Sequence, residues 1–417
     1  MANGPANGPA NGPANGPANG PANGGSVYYD PYDVAITADP YPVYRRLREE
    51  APLYYNDVHD FYAVSRYEDV ERVLLDHATF ISGKGGIIEL IRSGVELPPG
   101  VFIFEDPPAH TIHRRLMSRV FSPRRVAELE GKIREFCAQC LDPLIGTEGF
   151  DIIAELAAQV PMRTIGMLLG IPESDQEAVR DHADANLRTE AGKPMRVSPE
   201  RLLSGEIFAD YIDWRATHPS DDLMTELLHA EFVDETGTTR RLERQELLTY
   251  LEVISGAGNE TTNRLIGWSA KVLAEHPDQR AELVEDRSLL PNAIEEILRF
   301  EPPAHHMARV TSRAVAIHGR EIPEDSIVVV LVGSANRDDR RFPDGDRFDI
   351  HRSIGHILSF GQGIHFCLGA ALARLEGRIV LDELLDRFPK WDVDLTGASL
   401  SPTSTVRGWQ TLPVVVG

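Results

Sequence analysis

Cysteine is scarce in this 417-residue chain: Cys137, Cys140 and Cys367 are the whole supply. Three thiols cannot build a disulfide framework, which points to a reducing compartment and a cytoplasmic location. Positive charge is short as well. Lys and Arg number 42 against 64 Asp and Glu, a formal charge of −22. That balance argues against nucleic acid as a partner, since phosphate recognition needs a basic surface. No apolar run approaches the ~20 residues of a membrane span, so no membrane association is expected. The opening "MANGPANGPANG" has neither a basic n-region nor an apolar h-region, so a signal peptide is not expected either.

What is present is an ordinary globular composition, 42% hydrophobic and 25% charged, behind a low-complexity start. Residues 2–24 repeat Ala-Asn-Gly-Pro, which offers no apolar surface to bury, so residues 1–25 are expected to form a disordered tail. From residue 26 onward helical periodicity dominates. The stretch "LYYNDVHDFYAVSRY" alternates like a hairpin, and short β-like pieces occur in "RAVAIHGREIPEDSIVVVLV" and "TVRGWQTLPVVV". Residues 83–105 lack a clear period and are expected to form a long loop. The fold class is therefore mainly α with minor β sheet, without a linker-like breakpoint.

Four features carry chemistry. Cys367 follows the glycines Gly361 and Gly363 and precedes Gly369 and the helix-forming run "AALARLE". A helix N-terminus favours an anion, so the thiol is expected to have a lowered pKa, ready to act as a nucleophile or metal ligand. The alternative is a small buried cysteine without function. In "SGAGNETT" (Ser255–Thr262) the glycines Gly256 and Gly258 interrupt a helical pattern before Glu260 and Thr261. The pattern reads as a kinked helix with a carboxyl and a hydroxyl placed to pass protons, or as a glycine pair packing against a crossing helix. "EEILR" sets Glu296 and Arg299 on one helical face, a pair that is most often solvated surface. "DPPAHTIHRRLMSRVFSPRR" gathers His110 and Arg114, one turn apart, with Arg115, Arg119, Arg124 and Arg125. It reads as an anion-binding helix or as a solvated charged face. "CAQC" (Cys137–Cys140) has redox spacing but lies in an amphipathic helix without a preceding strand. His305–His306 lacks the spacing of a hydrolytic metal site.

In this order the four features resemble the cytochrome P-450 family, specifically its soluble bacterial members. "FGQGIHFCLG" (Phe360–Gly369) matches the family's haem-binding signature at every fixed position, "AGNETT" its oxygen-binding helix, and "EEILR" its Glu-x-x-Arg pair. "FPDGDRFD" (Phe342–Asp349) matches the segment that adds a second arginine to that pair. The likeness runs from residue 28 to the C-terminus. Ala314 and Asp339 depart from the residues common at their positions, and Asn259 fills a variable one.

The resemblance implies the triangular, single-domain P-450 fold over residues 26–417, with a small β-rich region. It implies haem b (iron protoporphyrin IX) with Cys367 as the thiolate ligand of the iron. His110, Arg114, Arg309 and His365 would hold the two propionates, and Phe360, Gly361 and Gly369 would shape the ligand loop. Thr261 would hydrogen-bond the activated dioxygen with Glu260 as relay or support, while Ala257 and Gly258 leave room for it. Glu296, Arg299 and Arg347 would form a buried structural network. The implied activity is insertion of one oxygen atom of O2 into an apolar small molecule, by hydroxylation or epoxidation. A haem-based sensor without turnover is the alternative, and a haem-free helical protein a third reading. Electrons would come from NAD(P)H through a reductase and an acidic ferredoxin docking on the arginine-rich helix at 114–125, to a monomeric enzyme. By family position, residues about 185–205 and 250–257 would border the substrate. So would Ile87, Ile88, Val101, Ile103, Val253, Ala257, His305 and Met307, with His305 or His306 as a polar anchor.

Overall fold

The helix Arg244–Glu275 is buried along most of its length and organises the structure, a computed structural model that describes residues 26–118, 121–197, 205–403 and 406–417. The repeat at 1–25, Arg119, and residues 198–204 of the expected substrate region lie outside the described residues. A capping box starts this helix: the Glu246 carboxylate accepts the Glu243 N–H at 2.8 Å while the Glu243 side chain accepts in return. The helix is buried although it is not uniformly apolar, with Glu246, Asn259, Glu260 and Arg264 among its buried residues.

Two helices set the site against it. Val160–Leu169 crosses it closely at Gly258, where a Cβ would fall 2.6 Å from Ile165 Cδ1. Ala370–Arg387, the helix behind Cys367, packs on it at Gly377 beside Leu265. The helix runs without a break through "SGAGNETT", from Arg244 to Glu275. Gly258 serves the crossing, as in the packing alternative.

A five-stranded sheet shares a second core with the helix residues Tyr44, Leu47 and Ile88, its strands in the order Leu53–Asn56, Phe61–Val64, Ile327–Val330, Met307–Thr311, Phe80–Ile81. The first two strands form the antiparallel hairpin read from their alternation, and the second pairs in parallel with Ile327–Val330. Met307 and Arg309, two apart on one strand, face the same side. A smaller three-stranded sheet joins Trp391–Val393, Pro413–Val416 and Gly149–Asp151. Among the described residues the structure is thus mainly helical with minor sheet.

Three segments differ from the sequence reading. Residues 83–105 are not one loop, since Ile88–Ser93 forms a helix closed by Gly94 at φ 63° and Phe102–Phe104 a single 3-10 turn. Glu173–Leu187 is helical although its sequence carries little apolar periodicity. Glu231–Val233 and Thr239–Arg241 pair as a hairpin around Asp234, whose carboxylate accepts the amides of Thr236 and Thr238. In each case the stretch is too short or too polar for period alone to speak.

Candidate active site

Cys367 sits where its loop folds back on itself. The Cys367 N–H donates to Phe360 O at 2.8 Å, and Gly361 and Gly363 turn the chain at φ 69° and 71°. At Gly363 a Cβ would meet Leu74 O at 3.0 Å, so a side chain there is excluded on both counts. Gly369 caps the helix Ala370–Arg387. The thiol borders an internal cavity of about 360 Å³. Contrary to the expectation from a helix N-terminus, its pKa is raised. Burial outweighs the Gly369 N–H and the guanidinium charges of Arg114 and Arg374, which pull the other way.

A basic cluster borders the same cavity. The rings of His110 and His365 meet at a tilt of 54° with centroids 4.3 Å apart, and the Nε2 atom of each is buried without a hydrogen-bond partner. Burial lowers the pKa of His110, and burial with the charges of Arg309, His110 and Arg114 drives His365 down to about 3. Burial also lowers Arg309, to about 10, although Asp106 opposes it. The Asp106 carboxylate is itself engaged by the Ser82 and Gly83 amides at 2.9 and 2.8 Å. Arg114 donates to the Phe366 carbonyl. With Asp106 already held by two amides, the desolvated guanidiniums and the unbonded ring nitrogens would be satisfied by an added anion.

Across the cavity lies the middle of the long helix. Ala257, Gly258 and Thr261 line it, and Thr261 Oγ1 donates back to Ala257 O at 2.9 Å. Glu260 does not line it. Its carboxylate pairs with Arg264 at 2.8 Å, and Arg264 in turn reaches Ser401 Oγ at 3.0 Å and Trp409 O. These groups border a second cavity, of about 300 Å³ and largely polar, with Gln159, Arg180 and Asn263.

A thiol and a helix with Thr261 facing one apolar cavity, with a ring of basic groups beside them, is an arrangement with known relatives. Residues 206–405 match the family model described as Cytochrome P450. A putative cytochrome P450 123 of Mycobacterium tuberculosis is 39% identical over 392 residues, covering 93% of this chain and 96% of the relative. The erythromycin C-12 hydroxylase of Saccharopolyspora erythraea is 36% identical over 381 residues, covering 89% and 93%. The solved structure of cytochrome P450 CYP109Q5 from Chondromyces apiculatus superposes with a TM-score of 0.82 at 34% identity, over 93% of this chain and 98% of that one. The chain belongs to the cytochrome P450 family.

It is a P450 monooxygenase, an oxidoreductase that uses O2 and a redox partner to oxygenate a substrate, and the family implies a haem cofactor. The site fits that group. The cavity offers a thiol on one wall, and beside it orphaned imidazole nitrogens and desolvated guanidiniums that a pair of propionates would satisfy. Phe360, Gly361, Gly369, Arg114, Arg309 and His365 line the cavity together with Cys367, and His110 packs behind His365.

On the substrate side of this P450, Ile87, Ile103, Val253, Ala257 and Met307 line the cavity. Ile88, Val101 and His305 do not. Ile88 belongs to the core beneath the five-stranded sheet, and Val101 is fully buried in the main core. His305, in the irregular segment before the strand Met307–Thr311, is buried between Tyr41 and Tyr44, 4.0 Å from the Glu301 carboxylate. Its neighbour His306 lines the cavity instead.

The Glu296 network also differs from expectation. Arg299 donates to Glu296 at 2.6 and 2.7 Å, both side chains being fully buried. The second arginine is Arg352, whose Nε donates to Glu296 Oε1 at 3.1 Å, not Arg347. Arg347 is 63% exposed and pairs with Asp344 and Asp349, contributing its backbone carbonyl to both arginines. The arginine-rich stretch at 114–125 is not one helix: Arg114 and Arg115 lie on Ala109–Ser118, Arg124 and Arg125 on Pro123–Glu128. Arg124 pairs with Glu128 at 3.3 Å and Arg125 with Glu226, leaving Arg115 exposed.

Cys137 and Cys140 are buried thiols with raised pKa, and no cluster that could hold a metal ion occurs among the described residues. No helix among them is long and apolar enough to cross a membrane. One residue was missed outright. Glu376, two turns beyond Gly369, lines the cavity floor fully buried, with neither carboxylate oxygen hydrogen-bonded. The signal was an acid within the apolar stripe Leu372, Glu376, Val380 of its helix.

Proposed function

We propose that this P450 carries iron protoporphyrin IX with Cys367 as the thiolate ligand, and that it oxygenates an apolar small molecule held in the 360 Å³ cavity. What carries the reading is the single cavity shared by Cys367, by Ala257, Gly258 and Thr261, and by a basic cluster that lacks an anion. When bound, the haem supplies dioxygen activation, with one oxygen atom entering the substrate and the other leaving as water for two electrons and two protons. The protein's own groups do the rest. The Gly369 N–H, Arg114 and Arg374 stabilise negative charge on the Cys367 sulfur against the cost of burial. His110, Arg114, Arg309 and His365 bind the propionates. Thr261 Oγ1, which donates to Ala257 O, would turn that hydroxyl to dioxygen and pass a proton. Glu260, at the border of the polar cavity, would support the helix through its pair with Arg264. Apolar walls keep bulk water from the reacting centre.

Residues 26–417 act as one haem domain in this reading, and the enzyme works as a cytoplasmic monomer. An acidic ferredoxin, reduced by an NAD(P)H-dependent reductase, docks near Arg115. The deciding test is the carbon monoxide spectrum of the reduced protein. A Soret band of the thiolate type, lost in Cys367→Ser, is the expected result. A band that persists in that variant overturns the ligand assignment.

A further inference from the structure

The substrate half of the cavity is nearly featureless in polarity. Its walls come from Ile87, Phe102, Ile103, Val253, Ile254 and Met307, among others. Among the described residues of the walls at 86–87, 102–104, 303–307 and 406, His306 is the one polar side chain. Elsewhere in the lining, Arg114, Arg309 and His365 belong to the anion cluster, Thr261 bonds Ala257 O, and Ser359 donates to Leu298 O at 2.7 Å. The unbonded Glu376 lies on the helix behind Cys367, away from these walls in sequence, and burial raises its carboxyl pKa to about 8. The His306 ring differs. Neither nitrogen hydrogen-bonds to any described residue, and its charge state answers to burial, which lowers its pKa, and to the Glu89 carboxylate, which opposes that. Its other edge borders a small cavity of about 30 Å³ toward Tyr29, Tyr44 and Arg407.

A neutral imidazole presents one donor and one acceptor. In an apolar site such a pair left unmatched disfavours ligands that cannot use it. Glu89 is near enough to act on the ring's charge, and its carboxylate accepts the Met195 N–H at 3.1 Å. Its negative charge disfavours a carboxylate at the same spot.

We propose that His306 determines specificity, selecting apolar substrates that carry a neutral oxygen, a carbonyl or hydroxyl, over the corresponding hydrocarbons. This rests on the reading of the cavity as the oxygenation site, but its test needs no turnover. Dissociation constants of cyclododecanone and cyclododecane are measured on the haem-loaded protein by spectral titration and by calorimetry. The quantity read is the ratio of hydrocarbon to ketone constants, compared between wild type and His306→Phe so that the compounds' own difference in water cancels. That ratio should fall about tenfold in His306→Phe, the worth of one hydrogen bond in an apolar site, and recover in part in His306→Gln, which keeps a donor. His306→Met serves as the apolar variant if His306→Phe retains no haem. A ratio that stays within about twofold of wild type in the apolar variant overturns the proposal, as does dodecanoate binding that exceeds ketone binding and depends on His306. Absence of the thiolate-type Soret band would instead refute the ligand assignment, while calorimetry still reads the His306 ratio.

Discussion

His110 and His365 meet at a tilt, ring centroids 4.3 Å apart, with both Nε2 atoms buried and unbonded, a contact that neither ring would make for its own stability. The two rings gain their missing partners when carboxylates enter the cluster. His365→Phe and Arg309→Leu should each remove one charge-assisted bond of about 1.5–3 kcal/mol. The rate of haem loss to a scavenging globin should then rise roughly tenfold to a hundredfold. Loss at the wild-type rate in both variants would mean the propionates lie elsewhere.

Glu376 makes stability depend on pH in an unusual direction. Burial raises its carboxyl pKa to about 8, against about 4.3 in an unfolded chain. The folded state therefore holds the proton more tightly. Below pH ~4.3 both states are protonated and nothing is lost. As pH rises toward 8 the unfolded state releases its proton first, and stability falls by several kcal/mol at most. Denaturant unfolding of wild type and Glu376→Gln at pH 5.5 and 8 should show the variant gaining relative stability at the higher pH. A difference independent of pH would place the proton elsewhere.

Arg352 and Arg347 separate by mutation. Arg352→Leu leaves the fully buried Glu296 short of one partner and opens three backbone carbonyls, so about 2–3 kcal/mol should be lost. Arg347→Leu removes an exposed pair and should cost under about 1 kcal/mol. Thermal midpoints of the two variants decide this, and equal shifts would contradict the assignment.

Thr261→Ala leaves the cavity walls in place and removes the hydroxyl that now bonds Ala257 O. Haem content and the spectral response to ligands should be unchanged. Product formed per NAD(P)H consumed should fall several-fold. Unchanged coupling would remove Thr261 from proton delivery.

Much of this was legible in the sequence because local pattern and function coincide there. The Cys367 loop needs its glycines at positive φ, and the long helix needs its cap and apolar run, so both are visible as strings of residues. The thiol's raised pKa was not, because it depends on burial contributed by distant segments. Nor was the choice of Arg352 over Arg347, which turns on which side chain a loop directs inward. His305 and His306 are chemically identical and adjacent. Both precede the strand Met307–Thr311, where no alternation fixes direction, and the fold sends one toward Tyr41 and the other into the cavity.

The parallel pairing of Phe61–Val64 with Ile327–Val330 has a consequence for how the enzyme is made. An early strand must wait at the ribosome, one edge unmatched, until some 260 further residues have emerged. Synthesis that stalls before residue 327 would release a nascent chain with an open sheet edge, prone to join other chains rather than to take up cofactor.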